Sequence, residues 1–177
     1  APLPAFAQSG NSEGEWTSYA ADAGSTKYTS LSQVDGNNFS DLQLAWRWRS
    51  IDADLALDQL VEGGAEINFG RLQATPLMID GVIYASGGTR RTAFALDGET
   101  GELKWLHNMR EGLRGGMAPR QLSGRGLAYW TDGKEDDRIF YVTTGYMLVA
   151  LDAHTGIPIE TFGLNGDGIV DLKLGAV

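Results

Sequence analysis

A heptapeptide that recurs, short apolar runs punctuated by turn signals, and abundant glycine together predict an all-β chain of repeated four-stranded antiparallel sheets, the blades of a β-propeller. ALDGETG at 95–101 returns as ALDAHTG at 150–156, and five of its seven residues reappear in the same order at an offset of 55. Glycine supplies 24 of the 177 residues while long helical patterns are scarce, the usage expected where short strands meet at tight turns. Solenoid β-repeats are shorter than this period, and a sandwich would not repeat its sequence.

The elements follow in chain order. Ala5 and Ala7 stand in an A-x-A pattern followed by Gln8, which suits a signal-peptidase site. Residues 1–7 are therefore expected to be the remnant of a secretory signal on an exported, periplasmic protein. A leading segment occupies 8–70, where NNFSDLQLAWRWRS predicts one strand ending in Trp46 and Trp48, and 51–70 a short helical turn or a long loop. A first blade is expected over about 71–108, with strands ATPLMID (74–80), VIYAS (82–86), TAFAL (92–96) and ELKWL (102–106). Asp80-Gly81 supplies its first hairpin turn. The second blade, about 120–163, reads GLAYW (126–130), an acidic loop TDGKEDD, RIFYVTT (138–144), MLVAL (147–151) and IPIET (157–161).

The repeated turn explains itself without a ligand. Gly101 and Gly156 tolerate positive φ. Asp97 and Asp152 can accept hydrogen bonds from backbone N–H groups two or three residues on, and Thr100 and Thr155 can do likewise. Trp105, four residues past Gly101, can lie flat on the neighbouring blade. Glu160 holds the matching place in the second unit, so docking there must differ.

Composition narrows the function. A net charge of -9 argues against a nucleic-acid surface and against adsorption to an anionic membrane. The absence of cysteine excludes disulfides, thiolate zinc sites and a cysteine nucleophile. No apolar run is long enough for a membrane-spanning helix. NGDGIVD (165–171) reads as a loop rather than a calcium site, DGKEDD (132–137) as a solvated hairpin tip, and His107 and His154 as surface residues. SGRG and GLRGG match neither a P-loop nor a dinucleotide fingerprint.

A-x-D-x-x-T-G-x-x-x-W, as it stands at 95–105, resembles the tryptophan-docking motif of the quinoprotein alcohol and glucose dehydrogenases. The stretch EWTSYAADAGSTKYTSLSQVDGNNFSDLQLAW resembles the leading segment of the same family. Its matching residues are Trp16, Tyr19, Asp22, Lys27, Tyr28, Leu31, Gln33 and Val34, followed by Asp35, Asn38, Phe39 and Leu42. LQATPLMIDGVIYASG and SGRGLAYWTDG look like further family segments, so the resemblance runs from about residue 14 to the end. It implies an eight-bladed propeller that binds pyrroloquinoline quinone (PQQ) and, usually, calcium. The chain would hold about the first two blades, as a fragment or as a part completed by another polypeptide. Alone it is then expected to lack dehydrogenase activity and, with unpaired strand edges, to be poorly soluble.

The resemblance also implies site residues. Gln73 matches a polar position against the quinone, and its amide can hydrogen-bond a quinone oxygen or carboxylate. Arg125 matches the arginine that pairs with PQQ, whose carboxylates and ortho-quinone suit a guanidinium fork. Gly124 and Gly126 beside it would let the backbone approach a flat ligand. Arg120 and Gln121 stand where relatives stack a vicinal disulfide or a histidine, and Arg120 could stack as a planar cation instead. The catalytic Asp and the calcium ligands are expected from later blades, with none in this chain. The implied function is oxidation of an alcohol or sugar, with electrons passed to a quinone or to cytochrome c. The alternative is a non-enzymatic propeller of the same repeats, acting as a binding or assembly scaffold.

Overall fold

The computed structural model describes residues 14–22, 24–49, 74–87, 91–118 and 126–173. The expected signal remnant and the 51–70 segment lie outside them. Among the described residues there are two four-stranded antiparallel sheets. Blade 1 runs β1 (Leu77–Ile79), β2 (Val82–Gly87), β3 (Thr92–Asp97), β4 (Leu103–His107). Blade 2 runs β5 (Ala128–Thr131), β6 (Asp137–Val142), β7 (Met147–Asp152), β8 (Ile169–Asp171). A one-turn helix α1 (Gly112–Gly116) lies on the linker between them. Up-and-down connection of neighbouring strands by hairpins is what the sequence turns require.

The strand period of two decides what is buried. In β6, Ile139 and Tyr141 are buried while Phe140 and Val142 stay half-exposed. The buried set meets the facing side of blade 1: Leu77, Tyr84 and Trp105 pack with Ile139, Tyr141 and Val149 in one cluster. The two sheets thus share a core. On the opposite face of blade 1, Phe94 and Leu96 are covered by Trp46 and Trp48. The Trp48 and Phe94 rings lie 4.3 Å apart.

Three expectations change. The strand predicted to end in Trp46 and Trp48 joins no ladder among the described residues, and its tryptophans pack on blade 1 instead. The fourth strand of blade 2 is β8, not 157–161, so the sheet extends past residue 163. Leu151 and Pro158 form only an isolated bridge, and Ile159 donates to the Ala150 carbonyl before the chain departs. Gly163, Gly166 and Gly168, all at positive φ, fold it back, and the Ala150 N–H then meets the Gly168 carbonyl. The outer strand is therefore split by an excursion over 160–167. His107, third, is half-buried at the blade interface rather than on the surface. Its Nδ1 lies 2.8 Å from the Tyr141 hydroxyl.

The leading segment finishes the free edge of β1. Trp16 exchanges both backbone hydrogen bonds with Met78, at 2.7 and 3.1 Å, and the Glu15 carboxylate accepts the Asp80 N–H. Further along, Asp35 and Asn38 cap one another before a 3-10 turn at Phe39–Asp41.

Candidate functional site

The repeated turn is a fastener in both blades. Asp97 Oδ1 accepts the N–H groups of Glu99 and Thr100 and the Thr100 hydroxyl, at 2.9–3.1 Å. Asp152 Oδ1 repeats this with His154 and Thr155, at 2.7–3.0 Å. Those donors hold the Asp97 carboxyl below its ordinary range. Gly101 and Gly156 close the turns at φ 73° and 70°. Each glycine also receives an indole. Trp46 donates from Nε1 to the Gly98 carbonyl at 3.1 Å, and a Cβ on Gly101 would come within 2.5 Å of its ring. Trp105 donates to the Ala153 carbonyl at 2.8 Å, and a Cβ on Gly156 would come within 2.6 Å. A tryptophan buried this fully removes about 150–250 Å² from water, worth roughly 4–6 kcal/mol as an upper bound.

The opposite end of the blades is where chemistry would sit. Ala128 pairs with Phe140, and Val142 pairs with Leu148, so the chain enters β5 at the end of blade 2 that carries the β6–β7 turn. Leu77 pairs with Tyr84 and Gly87 with Thr92, so it enters β1 at the β2–β3 end of blade 1. Gln73, Arg120 and Arg125 themselves lie outside the described residues. Their described neighbours, Ala74 and Gly126, are each one peptide bond from Gln73 and Arg125 and begin the two strands at this end. A Cβ at Gly126 would meet nothing within 4 Å, which leaves open space beside the backbone for a flat ligand. That is compatible with the quinone contacts expected of Arg125.

A polar network that the sequence does not announce occupies the same end. Arg91, buried on the β2–β3 side, donates from Nη1 to the Val142 and Thr143 carbonyls at 3.0 and 2.9 Å. Glu111 accepts from the hydroxyls of Thr143 and Thr144 and from the Gly145 N–H. Arg114, on α1, donates from Nε to the Gly145 carbonyl at 2.6 Å and grips Asp171 with both Nη atoms at 2.8 and 2.6 Å. That fork holds the Asp171 carboxyl far below the usual range and raises Arg114 further. Nothing in blade 1 repeats these residues, and the partners lie 31–57 positions apart, so no spacing signal could have found them.

At the interface, burial lowers the His107 pKa below its ordinary 6.5 and raises Tyr141. Tyr129, pushed up to about 12 mainly by burial, donates to Asp137, which also faces the exposed His154. The hairpin tip over 131–135 is solvent-exposed, as expected. Among the described residues, no three His, Asp or Glu side chains converge as a metal site would require.

The likeness to known proteins follows the same outline. The family model described as the glucose/ethanol/alcohol dehydrogenase β-propeller domain of PQQ proteins matches residues 16–176. The dehydrogenase subunit of the quinone alcohol dehydrogenase of Gluconobacter oxydans (strain 621H) is 31% identical over 150 residues, 83% of this chain and 17% of that protein. The quinoprotein glucose dehydrogenase of the same organism is 27% identical over 173 residues, 90% of this chain and 20% of that protein. The solved quinohemoprotein alcohol dehydrogenase from Comamonas testosteroni superposes with a TM-score of 0.57 at 26% identity, over 80% of this chain and 18% of that one. The chain thus spans between about a sixth and a fifth of the length of these relatives. Two clasped four-stranded blades and a family match across nearly the whole chain lead to one conclusion: the chain belongs to the PQQ β-propeller family of glucose, ethanol and alcohol dehydrogenases.

Proposed function

We propose that this chain is part of an exported PQQ-dependent dehydrogenase that oxidises an alcohol or sugar and passes the electrons to a quinone or to cytochrome c. The observation that carries the reading is the common end at which the chain enters β1 and β5, because it sets the positions after Gln73 and Arg125 on the same side of a two-blade core. When bound, the quinone supplies the two-electron acceptor. Arg125 would pair with its oxygens or carboxylates, Gln73 would hydrogen-bond them, and Arg120 would stack on the ring. Calcium, with ligands and a general base from other blades, would complete the centre. A-x-A at the N-terminus supports export through a cleaved signal.

The test uses the native protein that contains these residues. PQQ titrated against its intrinsic fluorescence should saturate, and dye-linked turnover of an alcohol or aldose should require PQQ and calcium. Arg125→Ala should weaken PQQ binding by roughly tenfold or more, the loss of a charge-assisted contact. A properly folded protein that binds no PQQ would sink the reading and leave a scaffold propeller.

A further inference from the structure

The linker from blade 1 to blade 2 is not a passive connection. Glu111 and Arg114 both leave it to grip a single turn, Thr143 to Gly145, between β6 and β7. One side chain takes the donors of that turn, and the other takes the Gly145 carbonyl and Asp171 of β8. Gly145 is shaped for the contact: a Cβ there would collide with the Glu111 carboxylate and come within 3.1 Å of Arg114 Cγ. Thr143 and Thr144 are buried, so their hydroxyls have the carboxylate in place of water. After α1 the chain next becomes fixed at Leu127, 6% exposed in the core shared by the blades. Residues 119–125 join these two anchors, and Arg120 and Arg125 belong to that stretch.

We infer that Glu111 and Arg114 are positioning residues for PQQ: by clamping the linker to the β6–β7 turn they restrict the stretch that presents Arg120 and Arg125. The inference rests on the cofactor reading above. Tethering both ends of a short connection removes conformations that would otherwise have to be ordered when the ligand binds. Neither residue touches the quinone. Their effect appears as pre-organisation, in affinity and not in the chemical step.

The native protein with Glu111→Ala, Glu111→Gln, Gly145→Ala and Arg125→Ala separates the possibilities. PQQ affinity is read by fluorescence titration, linker order by trypsin cleavage within 110–125, and folding by the unfolding midpoint of the PQQ-free protein. Glu111→Ala should weaken PQQ binding roughly tenfold through lost pre-organisation, with kcat recovered at saturating PQQ. Cleavage within 110–125 should accelerate. Glu111→Gln, which keeps an acceptor for the turn, should restore most of the affinity. Gly145→Ala should copy Glu111→Ala by expelling the carboxylate while the linker sequence stays intact, which keeps the test alive if Glu111→Ala folds poorly. A lowered midpoint with unchanged PQQ affinity in both variants would show the clamp to be structural only and overturn the inference. Arg125→Ala with unchanged affinity would overturn the cofactor reading itself, and this inference with it.

Discussion

Blade 1 and blade 2 end their third strands in the same clasp and then diverge. In blade 1 the outer strand β4 continues without a break to Trp105, whose indole seats on Gly156 of blade 2. In blade 2 the corresponding strand is split after Ile159 and resumes as β8, with Glu160 at the place that Trp105 holds. The shared part is local: Asp97 and Asp152 organise only residues within a few positions of themselves. The divergent part is where each blade meets its surroundings. Blade 1 uses its outer strand to hold the next blade, whereas blade 2 uses its resumed strand, through Asp171, to hold the linker. A repeat marks what every blade must do for itself, and its failure marks a contact made by one blade alone.

The tryptophans give the largest test of that contrast. Trp105 is 8% exposed and its Nε1 hydrogen bond spans the blades, whereas Trp46 is half-buried on an unpaired segment. Trp105→Ala should cost about 3–5 kcal/mol of unfolding free energy in a denaturant titration. Trp46→Ala should cost clearly less, because its site already admits solvent. Equal losses would mean that both indoles are equivalent fasteners and that burial does not rank them.

The glycines under those rings come next. A methyl group at either position collides with indole carbons and must also adopt positive φ. Gly156→Ala should cost about 2–4 kcal/mol, combining left-handed strain with an indole held in the core. Gly101→Ala meets the same clash, but Trp46 can shift outward, so the cost should approach the backbone term of about 1 kcal/mol. Thermal unfolding of the pair measures the difference. If Gly101→Ala is the worse of the two, the leading segment is held more firmly than its exposure suggests.

The clasp carboxylates should rank lower and nearly alike. Asp152→Ala removes three hydrogen bonds in a turn open to water, for about 1–2 kcal/mol. Asp97→Ala should lower the unfolding midpoint by a similar amount, since its donors are the same in kind and number. A large gap between them would show that the matched turns are not energetically matched.

What could be read in advance follows the same division. The strands, their hairpin order and the clasp were legible because their causes lie within a few residues: alternation along a strand, Asp and Thr in a turn, glycine at positive φ. The split outer strand was not, because IPIET has strand-like composition and only the ladder shows Pro158 ending at a bridge. The Glu111 and Arg114 clamp was invisible for a related reason. A glutamate in a polar linker looks solvated until the fold brings Thr143 and Gly145 to it. Gln73, Arg120 and Arg125 depend on the family resemblance, and the described geometry speaks only to the ends of the strands beside them.

The smallest effect separates the blade interface from the clasps by pH. His107 has a folded pKa below its ordinary 6.5 because burial disfavours the charged ring. Its contribution to stability is therefore complete above about pH 6.5 and is lost as pH falls from there toward the folded pKa. With the proton on Nε2, Nδ1 accepts from the Tyr141 hydroxyl; protonation removes that acceptor inside the interface. Asp97 and Asp171 are depressed carboxylates, so their contributions persist to lower pH, beginning to fade only below about pH 4. Unfolding midpoints measured from pH 8 to pH 3 should fall in two stages, with the interface first and the clasp and the Arg114–Asp171 fork second. His107→Gln should flatten the first stage and leave the second unchanged. A first stage that survives this substitution would assign it to a group outside the interface between the blades.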